Sequence, residues 1–272
     1  MDLSIIIVNY KSQAKLKTCL ESIKQADWSG ITGEVLVVEN SSGEDLGPLI
    51  TEESWRLIES EKNLGMGGGN NLGLQQAQGE YVFILNPDTF LNPGAIKVLL
   101  NYLRANPQVG LVGPRLLNPD QSLQYSCARF PKFFIPLLRR TPLGKYFPRL
   151  QKSFLMQDFD HQSARPVDWL MGSALMFKKE IKLETGEIWS PQFDERFFMY
   201  FEDIDLSRQF WQQGLKVVYQ PAAVLIHDHA RESAKYPWYQ AVFRDSLARE
   251  HIKSWLKYSW KWRFKTTKTK IN

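Results

Sequence analysis

An α/β fold on a mainly parallel sheet follows from three observations. Short β-branched runs alternate with helical patterns over the first hundred residues. The runs show little polar alternation, as strands buried on both faces do. Each ends on polar or turn-forming residues, at Asn9, at Glu39–Gly43 and at Asn86–Asp88.

The elements follow in order. Ser4–Val8 is a β-branched strand. Gln13–Gln25 carries Leu16, Leu20 and Ile23 at helical spacing. Val35–Val38 and Trp55–Ile58 are the next strands. A glycine-rich turn, Asn63–Gly73, opens a helix that runs to Gln78. Tyr81–Leu85 is a fourth strand, and Pro93–Asn106 a helix with proline beside its start. Phe130–Leu150 is aromatic, basic and broken by prolines, so it reads as an excursion from the core. Val167–Phe177 returns to an apolar pattern around Gly172, Ser173 and Ala174. A helix containing Leu206 and Phe210 stops at Gly214. Lys216–Tyr219 is another strand, and Pro221–Ile226 leads to His227–Asp228–His229.

The chain of 272 residues is 43% hydrophobic and 13% aromatic, with a formal charge of +5. That suits one large domain, expected over residues 1–235, with a basic aromatic extension over 236–272. From His251 onward there are seven Lys or Arg, no Asp or Glu, and three interleaved Trp. Two cysteines, Cys19 and Cys127, make no disulfide framework and suit a reducing compartment. Neither a secretory signal nor an apolar run of about 18 residues is visible. The expectation is a cytoplasmic protein, peripheral at the inner face of the cell membrane.

Three features carry chemistry. Glu202, Asp203 and Asp205 follow the bulky run Phe197–Phe201. Carboxylates beside an apolar wall are candidate general bases, and desolvation lifts their pKa. Spacing does not choose among the three, and acids also favour a helix start for structural reasons. The glycine run Gly65–Gly69 fails the dinucleotide fingerprint, because the sixth position is Asn70 or Leu72. It still lets backbone amides approach a ligand closely. Asp88 closes a strand, and His227, or alternatively His229, is a candidate partner in holding a divalent cation. Such a cation needs few protein ligands when two phosphates supply the remaining oxygens.

In order along the chain, SIIIVNY (4–10), VVENS (37–41), NLGMGGGNNLG (63–73), NPD (86–88), GSA (172–174), EDIDL (202–206) and PAAVLIH (221–227) resemble family 2 glycosyltransferases of the nucleotide-sugar-binding GT-A fold. The nearest likeness is to the rhamnosyltransferase-like branch. The resemblance spans about residues 4–233. It implies an inverting transfer of a sugar, in this branch rhamnose, from a nucleotide-diphosphate donor to a hydroxyl of a glycan or lipid-linked acceptor, in cell-surface polysaccharide synthesis. Asp203 would be the catalytic base. Asp88 and His227 would hold Mg²⁺ or Mn²⁺. Asn9, Glu39, Asn63, Gly65, Asn70, Asn86 and Asp88 would line the donor site, with Gly172 and Glu202 on the acceptor side. Asn86 stands where the family's first metal-site acid is found, and Glu39 where Asp is usual. A rival class is a catalytically degenerate nucleotide-sugar-binding or membrane-recruitment module. It has no use for both Asp88 and the acidic helix start. Cations among tryptophans also suit nucleic acid, but the expectation is contact with an anionic membrane and no nucleic acid.

Overall fold

The computed structural model describes residues 1–228, 240 and 244–264. The chain opens with β1 (Leu3–Asn9), α1 (Gln13–Lys24), β2 (Gly33–Glu39), β3 (Trp55–Glu59), α2 (Gly65–Gln76) and β4 (Tyr81–Leu85). It continues through β5 (Thr89–Leu91), α3 (Ala95–Ala105), β6 (Val109–Leu117), β7 (Leu123–Gln124) and β8 (Cys127–Ala128). Two short helices follow, α4 (Ile135–Arg140) and α5 (Pro148–Phe154). Next come β9 (Arg165–Pro166), β10 (Trp169–Leu170), β11 (Ala174–Lys178), β12 (Ile181–Lys182) and β13 (Ile188–Trp189). Last are α6 (Glu202–Gln212), β14 (Lys216–His227) and α7 (Ser246–Trp262).

The main sheet has the order β3-β2-β1-β4-β11-β6-β14-β5. β1 to β4 are parallel, as are β6 and β14, while β11 and β5 run against their neighbours. β1 shows why both faces are covered. Ile5 and Ile7 face Leu16 and Leu20 of α1 and Leu99 of α3, whereas Ile6 and Val8 join Leu74 and Phe210 on the other face. Each fully buried Ile contributes about 1.5–3 kcal/mol.

Several expectations change. β6 was not anticipated, because Gly110, Gly113 and Pro114 break its apolar run. Pro221 does not end a strand. It sits in β14 at an irregularity between Gln220 and Val224, where a missing amide donor is tolerated. The glycine turn is already helix from Gly65. Five glycines cost α2 roughly 1 kcal/mol each relative to alanine. In exchange α2 lies flat on the sheet: a Cβ at Gly69 would meet Val8 at 2.7 Å, and one at Gly73 would meet Ile6 at 2.4 Å.

The boundary expected at residue 235 lies outside the described residues, as does His229. The helix expected beyond it is packed rather than appended. Tyr258 and Trp262 of α7 bury against Phe197, Phe201 and Ile204. Lys261 Nζ donates to Asp194 Oδ2 at 2.7 Å and to Asp205 Oδ2 at 2.8 Å, and Trp262 Nε1 donates to Asp205 Oδ1 at 2.7 Å. Among the described residues no helix is long and apolar enough to cross a membrane.

Candidate active site

The carboxyl ends of the parallel strands form one edge, and the functional candidates gather there. Asn9 lies beside Glu39 in register. β4 ends at Leu85, opposite Ala174, so Asn86–Asp88 and Gly172–Ser173 meet. The Asn86 amide donates to Ser173 O at 2.9 Å. β14 brings His227 opposite Thr89. Residues more than a hundred positions apart therefore share one rim.

At one end, Asp88 Oδ1 is 3.3 Å from Nε2 of buried His227. Nδ1 of His227 is 2.6 Å from Gln124 Oε1. An amide oxygen only accepts, so Nδ1 donates to Gln124 and Nε2 is left facing the carboxylate, as a donor when the ring is protonated and as a lone pair when it is neutral. A lone pair facing a carboxylate oxygen needs a positive centre between them, either a proton or a divalent ion. That chemistry fits a metal. Among the described residues no group of three or more His, Cys, Asp or Glu side chains is placed to hold an ion, so the remaining oxygens would come from the donor's phosphates. Lys15 stands nearby. Its Nζ donates to Asp228 O at 2.8 Å and pairs with Asp228 Oδ2 at 3.1 Å. Burial raises the Asp88 pKa, but the His227 imidazole and the Lys15 charge more than reverse it, leaving the carboxyl below its usual range.

The donor-side candidates are largely occupied in holding the rim. Asn9 Nδ2 donates to Glu44 Oε2 at 2.8 Å, and its Oδ1 accepts from Ser12 Oγ at 2.9 Å. Glu44 also accepts the Ser12 and Gln13 amides at the start of α1, capping that helix. Glu39 accepts the amides of Ser41 and Ser42 at 3.0 and 2.6 Å, together with the Ser42 hydroxyl. Asn63 Oδ1 accepts from Asn40 Nδ2 at 3.1 Å and from the Gly65 amide at 2.9 Å. Gly65 has φ +72°, and a Cβ there would meet Phe198 O at 2.0 Å. Its glycine serves the chain's own contact with the aromatic loop. Asn70 differs: it is buried and its Oδ1 has no partner.

At the other end, Asp203 is fixed by two amides. Gly172 N donates to Oδ2 at 2.9 Å and Ile204 N to Oδ1 at 2.8 Å. Burial raises its pKa, and the amide bonds reverse this only in part. Glu202 is raised by burial first and by the Asp203 charge second, and its Oε2 has no partner. Asp205, fully buried, points to α7 instead. The structure thus separates three acids that spacing left equivalent. Just before them Tyr200 and Phe201 take φ of +69° and +68°. Left-handed backbone costs a non-glycine residue roughly 1–3 kcal/mol, and such outliers cluster at functional sites. A raised carboxylate with fixed orientation can accept a proton, and a lowered one beside an imidazole can hold a cation.

Sequence reasoning missed Lys15, Gln124, Asn40 and Glu44. Their partners lie 213, 103, 24 and 35 residues away, so no local pattern announces them.

The family model for Glycosyl transferase family 2 matches residues 4–162. The chain is 29% identical, over 86% of its length and 78% of the relative's, to an N-acetylglucosaminyl-diphospho-decaprenol L-rhamnosyltransferase of Mycobacterium tuberculosis. It is 28% identical to the low-salt glycan biosynthesis hexosyltransferase Agl10 of Haloferax volcanii, over 90% of this chain and 73% of that one. Rhamnosyltransferase WbbL of Escherichia coli is 23% identical over 93% and 91%. Among solved structures, GalNAc-T7 with UDP, GalNAc and Mn²⁺ superposes with TM-score 0.63 at 16% identity, over 89% of this chain but less than half, 47%, of that one. Staphylococcus aureus TarS gives 0.58 at 14% identity, over 97% and 73%. These likenesses establish the GT-A architecture, and with the family match they lead to one conclusion: the chain belongs to glycosyltransferase family 2, with a rhamnosyltransferase-like character.

Proposed function

We propose that this protein transfers a sugar, with inversion, from a nucleotide-diphosphate donor to a hydroxyl of a lipid-linked glycan acceptor. Rhamnose is the sugar this reading favours, because two of the relatives are named rhamnosyltransferases. The observation that carries the reading is the pairing of opposites on one rim: a carboxyl pushed up and aimed by Gly172, and a carboxyl pulled down beside His227.

Asp203 takes the proton from the acceptor hydroxyl as its oxygen bonds to the anomeric carbon. The bond from that carbon to the donor phosphate breaks on the opposite face, and the diphosphate leaves with the electron pair. Asp88 and His227 would hold Mg²⁺ or Mn²⁺, which supplies charge stabilisation to the departing diphosphate. Gln124 keeps the imidazole oriented. Asn70, with its unpartnered oxygen, is the donor-side candidate best placed to gain a bond. Glu39 contacts the base or ribose through lone pairs its loop leaves over. A panel of nucleotide sugars tests the assignment, read as nucleoside diphosphate released with a prenyl-diphosphate acceptor. Release from a deoxyhexose donor, with the opposite anomeric configuration in the product, is the expected result. No release from any donor sinks it.

The reading includes docking on an anionic leaflet. Large apolar side chains stand exposed around α4 and α5 and on and just beyond α7, among them Phe133, Leu137, Tyr146, Trp260 and Phe264. Phe133 and Trp255 bring the two segments together, with ring centres 4.9 Å apart. No Asp or Glu occurs from Phe130 to Gln157, whereas Lys132, Arg139, Lys145, Arg149 and Lys152 do. Each such charge near the surface adds on the order of 1 kcal/mol of attraction. Lys261 is not among them, since it is committed to Asp194 and Asp205. Vesicle co-sedimentation that favours anionic over neutral lipid and weakens with salt is expected. Equal partitioning removes the electrostatic anchor.

A further inference from the structure

On the α2–α6 face of the sheet, aromatic rings close around a histidine. His161 is 3% exposed, and its ring centre lies 4.5 Å from Phe159, 5.4 Å from Tyr219 and 5.5 Å from Tyr125. Its Nε2 has no hydrogen-bond partner. The same holds for the hydroxyl of fully buried Tyr219 and for the buried Nε of Arg115. Buried polar groups nearly always find partners, and each one left over costs about 1–3 kcal/mol. Three in one neighbourhood point to something the protein itself does not supply.

Charge defines what is wanted. Burial lowers the His161 pKa, a hydrogen bond with the Met156 backbone and the Asp160 charge partly oppose this, and the positive charges of Arg115 and Arg165 add to the lowering. The Arg165 guanidinium lies over the Phe159 ring, 4.6 Å from its centre. Among the described residues neither guanidinium is paired with a carboxylate. Asp158 and Asp160 are close in sequence but exposed, and Asp160 Oδ1 accepts the Gln162 amide at 2.9 Å. Arg115 Nε can only donate, and the Tyr219 hydroxyl can donate as well. A multi-oxygen anion suits them. A water molecule would leave both guanidinium charges unmatched.

The chain segment next to the cluster reaches the active-site rim. Tyr125 follows Gln124, which orients His227. Ser126 O accepts the Met171 amide at 2.8 Å, one residue before the Gly172 amide that holds Asp203.

We propose that Arg115, His161 and Tyr219, with Arg165 at the edge, form a subsite for a phosphate-type oxyanion, and that the acceptor brings this group as a phosphate or diphosphate ester. Only the identity of the carrier rests on the glycosyl-transfer reading. The test uses full-length protein with ¹⁵N-labelled histidine, titrated with inorganic pyrophosphate without nucleotide sugar. The imidazole resonances of His161 are expected to move, while those of His227 report separately on the other end of the rim. Arg115→Met should weaken the apparent affinity at His161 about tenfold or more, the scale of a hydrogen bond to a charged group. Tyr219→Phe keeps the ring and should weaken it by a smaller factor, about threefold, and it serves if Arg115→Met does not fold. Neutral vesicles doped with a prenyl phosphate distinguish the source. Retention that Arg115→Met abolishes marks a lipid-borne group, and a response to the soluble ion alone marks the free anion. No movement of His161 in the wild type, or movement undiminished in the variants, overturns the subsite. Neither result depends on turnover, so glycosyl transfer stands or falls on its own assay.

Discussion

At Asp88 and at Asp203 burial pushes a carboxyl pKa in the same direction, yet the two end on opposite sides of their ordinary value. The difference is the company each keeps. Asp88 faces an imidazole and feels Lys15. Asp203 is held by backbone amides and neighbours a second acid, Glu202. The nearby cation, Lys261, is held by Asp194 before α6 and by Asp205, two residues on from Asp203 and on the far side of α6. Environments that drive two acids apart are how one fold assigns a base and an electrostatic partner. The comparison teaches that the start of α6 keeps Asp203 basic by giving its neighbour the cation.

The largest effect expected is on that neighbour. Asp205→Ala leaves Lys261 and Trp262 without their buried partner and should cost about 3 kcal/mol, the lower end for a broken buried pair because Asp194 remains. Urea unfolding measures it, and a loss under about 1 kcal/mol would show that α7 is held by packing alone. Asp203→Asn should keep donor binding and lower turnover roughly 100-fold or more. Near-normal turnover, with Glu202→Gln inactive instead, would hand the role to the other acid. Gln124→Leu should weaken Mn²⁺ binding about 10–100-fold by releasing the His227 ring, read by metal titration. Unchanged affinity breaks the metal half of the comparison.

The smallest effect concerns pH. A base works deprotonated, so in the role proposed for Asp203 its raised pKa moves the acid limb of turnover above the usual aspartate value of about 4. Glu202 is raised further and is already protonated as Asp203 titrates, so Glu202→Gln should leave that limb in place. Stability behaves differently. A carboxyl whose folded pKa is raised contributes most at low pH and loses that contribution as pH rises through the folded value. Glu202→Gln removes the loss, so its melting temperature should exceed the wild type's by a margin that grows with pH, worth on the order of 1 kcal/mol. A margin that shrinks as pH rises contradicts the raised pKa.

Much of the fold was legible in the sequence because buried parallel strands are written as β-branched runs. Ser4–Val8, Val35–Val38 and Tyr81–Leu85 all lie inside observed strands. β6 was hidden because Gly110 and Gly113 look like turn residues. They sit there because a side chain at Gly110 would collide with Phe210 and one at Gly113 would press on Leu170. The gathering of candidates at strand ends was legible, and the resemblance proposed Asp203 as the base. Its supporting contacts were not legible, since the Gly172 amide and the Gln124 oxygen are brought in by long-range topology.

The seat of α7 on α6 also orders events in time. Asp205 waits for partners that lie 56 and 57 residues further along the chain. Until α7 is in place, the third acid of α6, Asp205, has neither its cation nor its indole. A buried carboxylate in that condition is costly, so the helix start that carries Asp203 gains its final geometry only when α7 arrives. The setting proposed for Asp203 is therefore complete only once α7 is in its seat.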